Sequence, residues 1–223
     1  MTQNSFDEQL SPSEGAADLM AISDTLMSLS RIIGNAPDEP QIQAFADSID
    51  ALGDEALGCS RMQSYFAQHA DEPMSSIAQE LGVDWTLAFR GVNPGKGPKP
   101  PYAGAWLAED GVGVEIMMEI NSHYVKKGLG ASGERFNRMD YLAVELEFVS
   151  YLLKEASDAP SDEERAVLAH DAAQFTSEYI LTWLPRYRES VESTCKTEFW
   201  KGYLELLEAV FSDVRDLCEQ QIA

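Results

Sequence analysis

Positive charge is what this chain most lacks. Only 16 of its 223 residues are Lys or Arg, against 38 Asp or Glu, for a formal net charge of −22. A field of that sign repels nucleic acid and anionic membrane surfaces and attracts cationic partners, so no nucleic-acid role is expected. Cysteine is scarce as well. Cys59, Cys195 and Cys218 are odd in number, far apart and without CxxC spacing. That excludes a disulfide framework or a zinc site and reads as reduced thiols in the cytoplasm. No apolar run reaches 18 residues, so stable membrane insertion is not expected. The opening "MTQNSFDEQLSPSEG" has neither the basic start nor the apolar centre of a secretory signal. Histidine occurs three times, at His69, His123 and His170, and no ExxH is present, so the ligand pattern of a di-iron bundle is missing. There is no GxSxG and no Cys in a recognisable His context. No segment sustains strand alternation, and no repeat of solenoid length is visible.

What is present is helical periodicity over an apolar content of 44%. Leu19, Ile22, Leu26, Leu29 and Ile33 step by three and four, giving one stripe of an amphipathic helix that Gly34 and Asn35 stop. Weaker helical patterns cover 41–52 and 54–70. Pro73 and Ser75 open another helix, with a break expected at Gly82. Residues 113–127 predict a helix ended by Gly128. Asn137 is the expected N-cap of the next, with Asp140 as its capping-box partner. Ser161 caps a helix whose stripe is Leu168, Ala172, Phe175, Tyr179 and Trp183. In the last helix Phe199, Tyr203, Leu206 and Val210 form one stripe, and Trp200, Leu204, Leu207, Phe211 and Val214 a second. A helix apolar over that much of its circumference belongs at the centre of a bundle. The expected organisation is a disordered tail over 1–15 and a single all-α domain of roughly eight to ten helices over 16–220. Residues 91–113, with four prolines and six glycines, form its one long irregular loop.

Three chemistries can be set against these residues. "GVNPGKG" at Gly91–Gly97 echoes a P-loop, but it is one residue short, lacks the Ser or Thr that would hold magnesium, and follows no strand. Glu115, Glu119 and His123 share one helix face and are the residues a helical metal-dependent enzyme would use. The third chemistry is peptide binding. Tyr102 and Trp106 are large aromatics on an irregular loop, which supply contact area at low entropic cost. Carboxylates nearby would complement arginine, which pairs with them bidentately. The stretch "RMDYLAVELEFVSYLL" (138–153) concentrates this question, because Asp140, Glu145 and Glu147 interrupt a core-like helix. On a helical wheel Leu142, Leu146, Val149 and Leu153 share a stripe, Glu145 lies at its edge and Glu147 points away. Glu145 is therefore expected to have a hydrogen-bonded or cationic partner if buried.

In this order the chain carries "LAFRG" (87–91), "PPYAGAWL" (100–107), "HYVKKGL" (123–129), "DYLAVELEFVSYLL" (140–153), "WLPRY" (183–187) and "FWKGYLELLEAVF" (199–211). The series resembles the TorD/DmsD/NarJ family of cytoplasmic chaperones for molybdenum-containing oxidoreductases, over residues 16–215. The resemblance implies a TorD-like all-helical bundle that is not an enzyme and needs no cofactor of its own. It implies binding of the twin-arginine signal peptide of a DMSO- or TMAO-reductase-type precursor, and help with insertion of that precursor's molybdopterin cofactor before export. The family's binding positions map to Phe89, Tyr102, Trp106, Asn137, Asp140 and Tyr141. The family commonly has Asp-His where Asp140-Tyr141 stands here, and often a Pro upstream at the position of Arg138 and Met139. The change leaves the hydrogen-bonding Asp140 and a stacking aromatic in place. Guanine-nucleotide binding, linked to some members, has no supporting motif. A hinge at 91–113 permits a domain-swapped homodimer.

Overall fold

In a computed structural model, residues 14–52, 57–91, 97–109, 113–130 and 138–221 are described. The helices, in chain order, are α1 (Glu14–Gly34), α2 (Glu39–Leu52), α3 (Cys59–Gln68), α4 (Met74–Phe89), α5 (Ala103–Leu107), α6 (Val114–Lys126), α7 (Leu142–Ser157), α8 (Asp162–Phe175), α9 (Leu184–Glu192) and α10 (Glu198–Gln220). A π-helical turn, Thr176–Ile180, joins α8 to the segment before α9. Among the described residues there is no strand, only one isolated antiparallel bridge between Tyr102 and Tyr141. The chain is thus a single all-helical domain, as its periodicity predicts.

Two helices organise the core. α10 buries Phe199, Trp200, Tyr203, Leu204, Leu207, Phe211 and Val214, and packs against α3, α8, α9, α1 and α4. Both of its expected stripes are inside, which is why it can touch so many neighbours. Its Gly202 allows the start of α3 to approach closely. Gly58 there has φ +83°, and a Cβ on it would lie 2.0 Å from the Gly202 carbonyl oxygen. Glycine alone adopts this conformation without cost and clears that contact. Arg61 of α3 then binds Glu192, Glu198 and Glu205, fastening α3 to the C-terminal end of α9 and to α10.

α7 is the second axis, with α1 on one side and α8 on the other. The α1–α7 contact is the most extensive in the molecule. Ser23 and Ser150 make it close: each hydroxyl donates to the other's backbone carbonyl, at 2.8 and 2.9 Å. Further along α1, Ser30 donates to Glu147 at 3.1 Å. Glu147, exposed and pointing away from the α7 stripe, thus links α7 to α1. Leu19, Leu26, Leu29 and Ile33 of the α1 stripe are buried.

Four expectations change. Helix α4 runs through Gly82 without a break, since Ile77, Leu81, Trp85 and Phe89 anchor both halves to the core. The span 91–113 is not wholly irregular, because α5 forms within it. Residues 1–13 of the expected tail lie outside the described residues, and α1 already takes in Glu14 and Gly15. The cap of α7 is Tyr141, so Asp140 precedes the helix and does not cap it. Asn137 lies outside the described residues. Ser161 does cap α8, accepting from the Glu164 amide.

Candidate functional site

Backbone pairing builds the site before any side chain enters it. The Ala103 amide donates to the Asp140 carbonyl at 2.9 Å, and the Leu142 amide donates to the Pro101 carbonyl at 3.0 Å. These two bonds clamp the entry to α5 onto the entry to α7 and set the Tyr102 and Tyr141 rings 5.5 Å apart. Tyr141 is tied down further, its hydroxyl donating to the Ile33 carbonyl at the end of α1 at 2.6 Å. The clamp carries the Asp140 carboxylate into the interior, where its side chain is 0% exposed.

Asp140 is nevertheless well served. Its Oδ2 accepts from the Gly104 amide at 2.9 Å. Its two oxygens also accept a bidentate pair from Arg138, Nε to Oδ1 at 2.9 Å and Nη2 to Oδ2 at 2.8 Å. The same guanidinium lies over the Tyr102 ring, 4.2 Å from its centroid. The bond to Asp140 raises the Arg138 pKa and holds it charged. Gly104 must be small for this geometry. A Cβ there would stand 2.9 Å from Asp140 Oδ2 and 2.7 Å from the Gly113 carbonyl oxygen, and Gly113 itself has φ +67°. One carboxylate, one ring and one backbone amide thus compose a seat shaped for a guanidinium.

Trp106 stands beside the seat on α5, half-buried. Its indole donates to the Pro100 carbonyl at 3.1 Å, and its ring stacks on Trp183 at 6.1 Å. Lys99 and Arg186 lie over it at 5.8 and 6.0 Å from the centroid. Met139, between Arg138 and Asp140 in the chain, lines a groove of about 280 Å³. Tyr124, Leu129, Val144, Phe148 and Tyr151 line it with apolar surface, and Glu147 adds an exposed carboxylate.

Against this geometry, comparison with known proteins is decisive for kinship. A family model described as nitrate reductase delta subunit matches residues 53–189, more than half of the chain. The chain belongs to this family. It is also similar to the chaperone protein TorD of Photobacterium profundum, 25% identical over 131 residues, which cover 58% of this chain and 60% of that protein. The TorD of Aliivibrio fischeri is 26% identical over 129 residues, covering 57% of this chain and 59% of that protein. A TorD of Vibrio vulnificus is 23% identical over 173 residues, covering 76% of this chain and 70% of that protein. The chain thus spans about three fifths of the length of the first two relatives, at 60% and 59%. Every residue of the seat falls inside the family match, as does the motif run from "LAFRG" to "WLPRY".

Within this family member, the residues singled out from sequence do not all meet. Tyr102, Asp140 and Tyr141 come together at the α5–α7 clamp, and Trp106 follows about one helical turn along α5. Phe89 does not join them: it is 1% exposed and packs edge-on against Trp200 at 4.9 Å. It touches Tyr187, which in turn touches Trp106, so Phe89 supports the platform from behind. Arg138 and Gly104 are absent from the sequence candidates. A guanidinium two residues before an acid is a weak signal, and Gly104 gains meaning only from its place opposite Asp140.

Glu145 also departs from expectation. It is 0% exposed, and neither carboxylate oxygen has a hydrogen-bond partner among the described residues. Burial, and then the nearby charge of Asp140, push its pKa well above the ordinary value, so it is held as a neutral acid. Protonation removes the cost of a buried charge, but the partner that the wheel calls for is not found among the described residues. The metal alternative finds no cluster. Among the described residues no three His, Cys, Asp or Glu side chains gather to hold an ion. Glu119 instead accepts from Tyr179, and His123 packs edge-on against the Phe175 and Tyr179 rings, its pKa lowered by burial and by Lys126. No helix of the described residues is long and apolar enough to cross a membrane.

Proposed function

We propose that this chain is a maturation chaperone that binds the twin-arginine leader of a molybdoenzyme precursor in the cytoplasm and holds that precursor while its cofactor is inserted. The observation that carries the reading is the Asp140–Tyr102 seat, which presents both halves of guanidinium recognition, a carboxylate fork and an aromatic face. Beside it, Trp106 and the apolar groove past Met139 suit the uncharged run that follows the arginines in such a leader. The formal charge of −22 draws a cationic peptide toward the whole surface. Family membership supports the same reading, since the matched relatives carry the name chaperone protein TorD. Binding of this kind needs no bond to be made or broken, and the reading assigns the chain no catalysis.

Isothermal titration with a twin-arginine peptide tests it. The wild-type chain should bind, and Asp140→Asn should bind more weakly. The loss should be greater at low salt than at high salt, because screening already blunts the charge term in the second case. Equal affinities for wild type and Asp140→Asn would remove Asp140 as the arginine acceptor.

A further inference from the structure

The seat is not waiting for a guanidinium; it already holds one from its own chain. We propose that Arg138 is a resident occupant of the leader-arginine seat, so that an incoming arginine binds there only by displacing it. This rests on the leader-binding reading above for the identity of the competitor, but not for the existence of the seat.

Three features of the contact argue that Arg138 is exchangeable and not merely a counter-ion. First, the interaction is a complete recognition set. Nε and Nη2 form the fork on Asp140 at 2.9 and 2.8 Å, and the guanidinium carbon sits 4.2 Å above Tyr102. An external arginine would make the same contacts, so exchange trades like for like. Second, the two partners differ in exposure. The Asp140 side chain is 0% exposed and the Arg138 side chain 33%, so the carboxylate stays in place while the cation has a route to water. A lone arginine in water is well solvated, whereas an unpaired buried carboxylate is costly. The seat therefore favours being filled, whichever arginine fills it. Third, the Gly104 amide keeps one hydrogen bond on Asp140 Oδ2 independently of Arg138. The carboxylate is held in position during the exchange.

The consequence is a threshold on affinity. Arg138 is two residues from its acceptor and competes at the high effective concentration of a tethered group. Apparent affinity falls in proportion to the fraction of molecules whose seat is open. If Arg138 fills the seat about nine-tenths of the time, a leader arginine loses about tenfold in affinity relative to an empty seat. A single stray arginine on another protein would then displace it poorly. A leader that also uses Trp106 and the apolar groove would supply the remaining affinity.

The test uses the full chain and two probes. The first is L-argininamide, with L-lysinamide of equal charge as control, read by thermal unfolding. Arg138→Ala should melt below wild type, and L-argininamide should restore it more than L-lysinamide does. Wild type should respond equally to both, and Arg138→Ala/Asp140→Asn should show no preference. The second probe is a twin-arginine peptide, read by titration. Arg138→Ala should bind it about tenfold more tightly than wild type. Arg138→Gln, which keeps a hydrogen-bond donor beside Asp140, guards against a folding defect in the alanine variant and should also tighten binding. No preference for L-argininamide, together with unchanged or weaker peptide binding in both variants, overturns resident occupancy; wild-type peptide binding would then leave the leader reading standing. Selective rescue by L-argininamide, with no peptide binding by any variant, would keep the guanidinium seat, sink the leader reading and overturn displacement by a leader.

Discussion

Two buried aspartates, far apart in sequence, are satisfied in opposite ways. Asp84, on α4, receives the backbone amides of Lys196 and Thr197 at 2.8 Å each and the Thr197 hydroxyl at 3.0 Å, all on Oδ2. Its partners are the turn leading into α10, so its carboxylate is wired into the main chain. Asp140 has one backbone amide and otherwise depends on a side chain one-third exposed to water. Both are hidden from solvent, and burial alone does not separate them. The nature of the partner does. Fixed amides can leave only if the fold opens, whereas a guanidinium on a flexible stem can be exchanged without unfolding anything. Glu145 completes the series as a buried acid kept neutral instead of paired.

The largest effect expected from this contrast lies at Asp84. Asp84→Ala removes three hydrogen bonds to a charged acceptor and leaves two amides without their partner, a loss of about 3 kcal/mol. Urea denaturation should report it, while the fraction that remains folded should bind a twin-arginine peptide as wild type does. A binding defect in folded Asp84→Ala would break the division between structural and exchangeable aspartate. Next comes Gly104→Ala, whose Cβ would press on Asp140 Oδ2 and on the Gly113 carbonyl. A loss of about 1–3 kcal/mol is expected from overpacking, accompanied by weaker peptide binding because the seat is displaced. Stability lost with binding intact would show that Gly104 serves the loop alone.

The smallest change at low pH is expected for Glu145→Gln. Glu145 keeps a proton in the folded protein that the unfolded chain releases above its ordinary value of 4.5. The folded state binds more protons there, so this residue makes stability fall as pH rises from about 4.5 toward its raised value. Glutamine does not titrate. The variant should match wild type below that window and be the more stable protein above it, as pH-dependent melting would show. A variant less stable than wild type at neutral pH would reveal a partner for the charged carboxylate.

Periodicity makes most of the fold legible. The α1 stripe, the Ser161 cap and the doubly apolar α10 all follow from local spacing, which tertiary contacts then use without altering. The misreadings have physical causes. Phe89 stands at the end of a helix next to an irregular loop, and position in the chain suggests the surface. The run Ile77, Leu81, Trp85, Phe89, stepping by four, marks it as core. Asp140 looks like a capping group because acids precede helices so often, but the pairing with residues 101–103 moves the cap to Tyr141. That pairing joins segments nearly forty residues apart, and no local pattern encodes it. The same distance hides the partnership of Gly104 and Asp140. Glu145 does lie at a core edge, as its spacing predicts, while the means of its accommodation, protonation, depends on how completely the neighbours exclude water.

The tryptophans give this arrangement a built-in colour. Trp85, Trp183 and Trp200 are sealed in the interior, at 5%, 0% and 0% exposure. Trp106 alone of the four reaches water, about one helical turn from Tyr102 and stacked on Trp183. Its emission will be the red-shifted component of an otherwise blue spectrum, and the part a soluble quencher reaches first. A peptide lying across α5 would shield that indole while leaving the others blind to the event. Occupancy of the surface could then be followed by intrinsic fluorescence, with no label added to the chain.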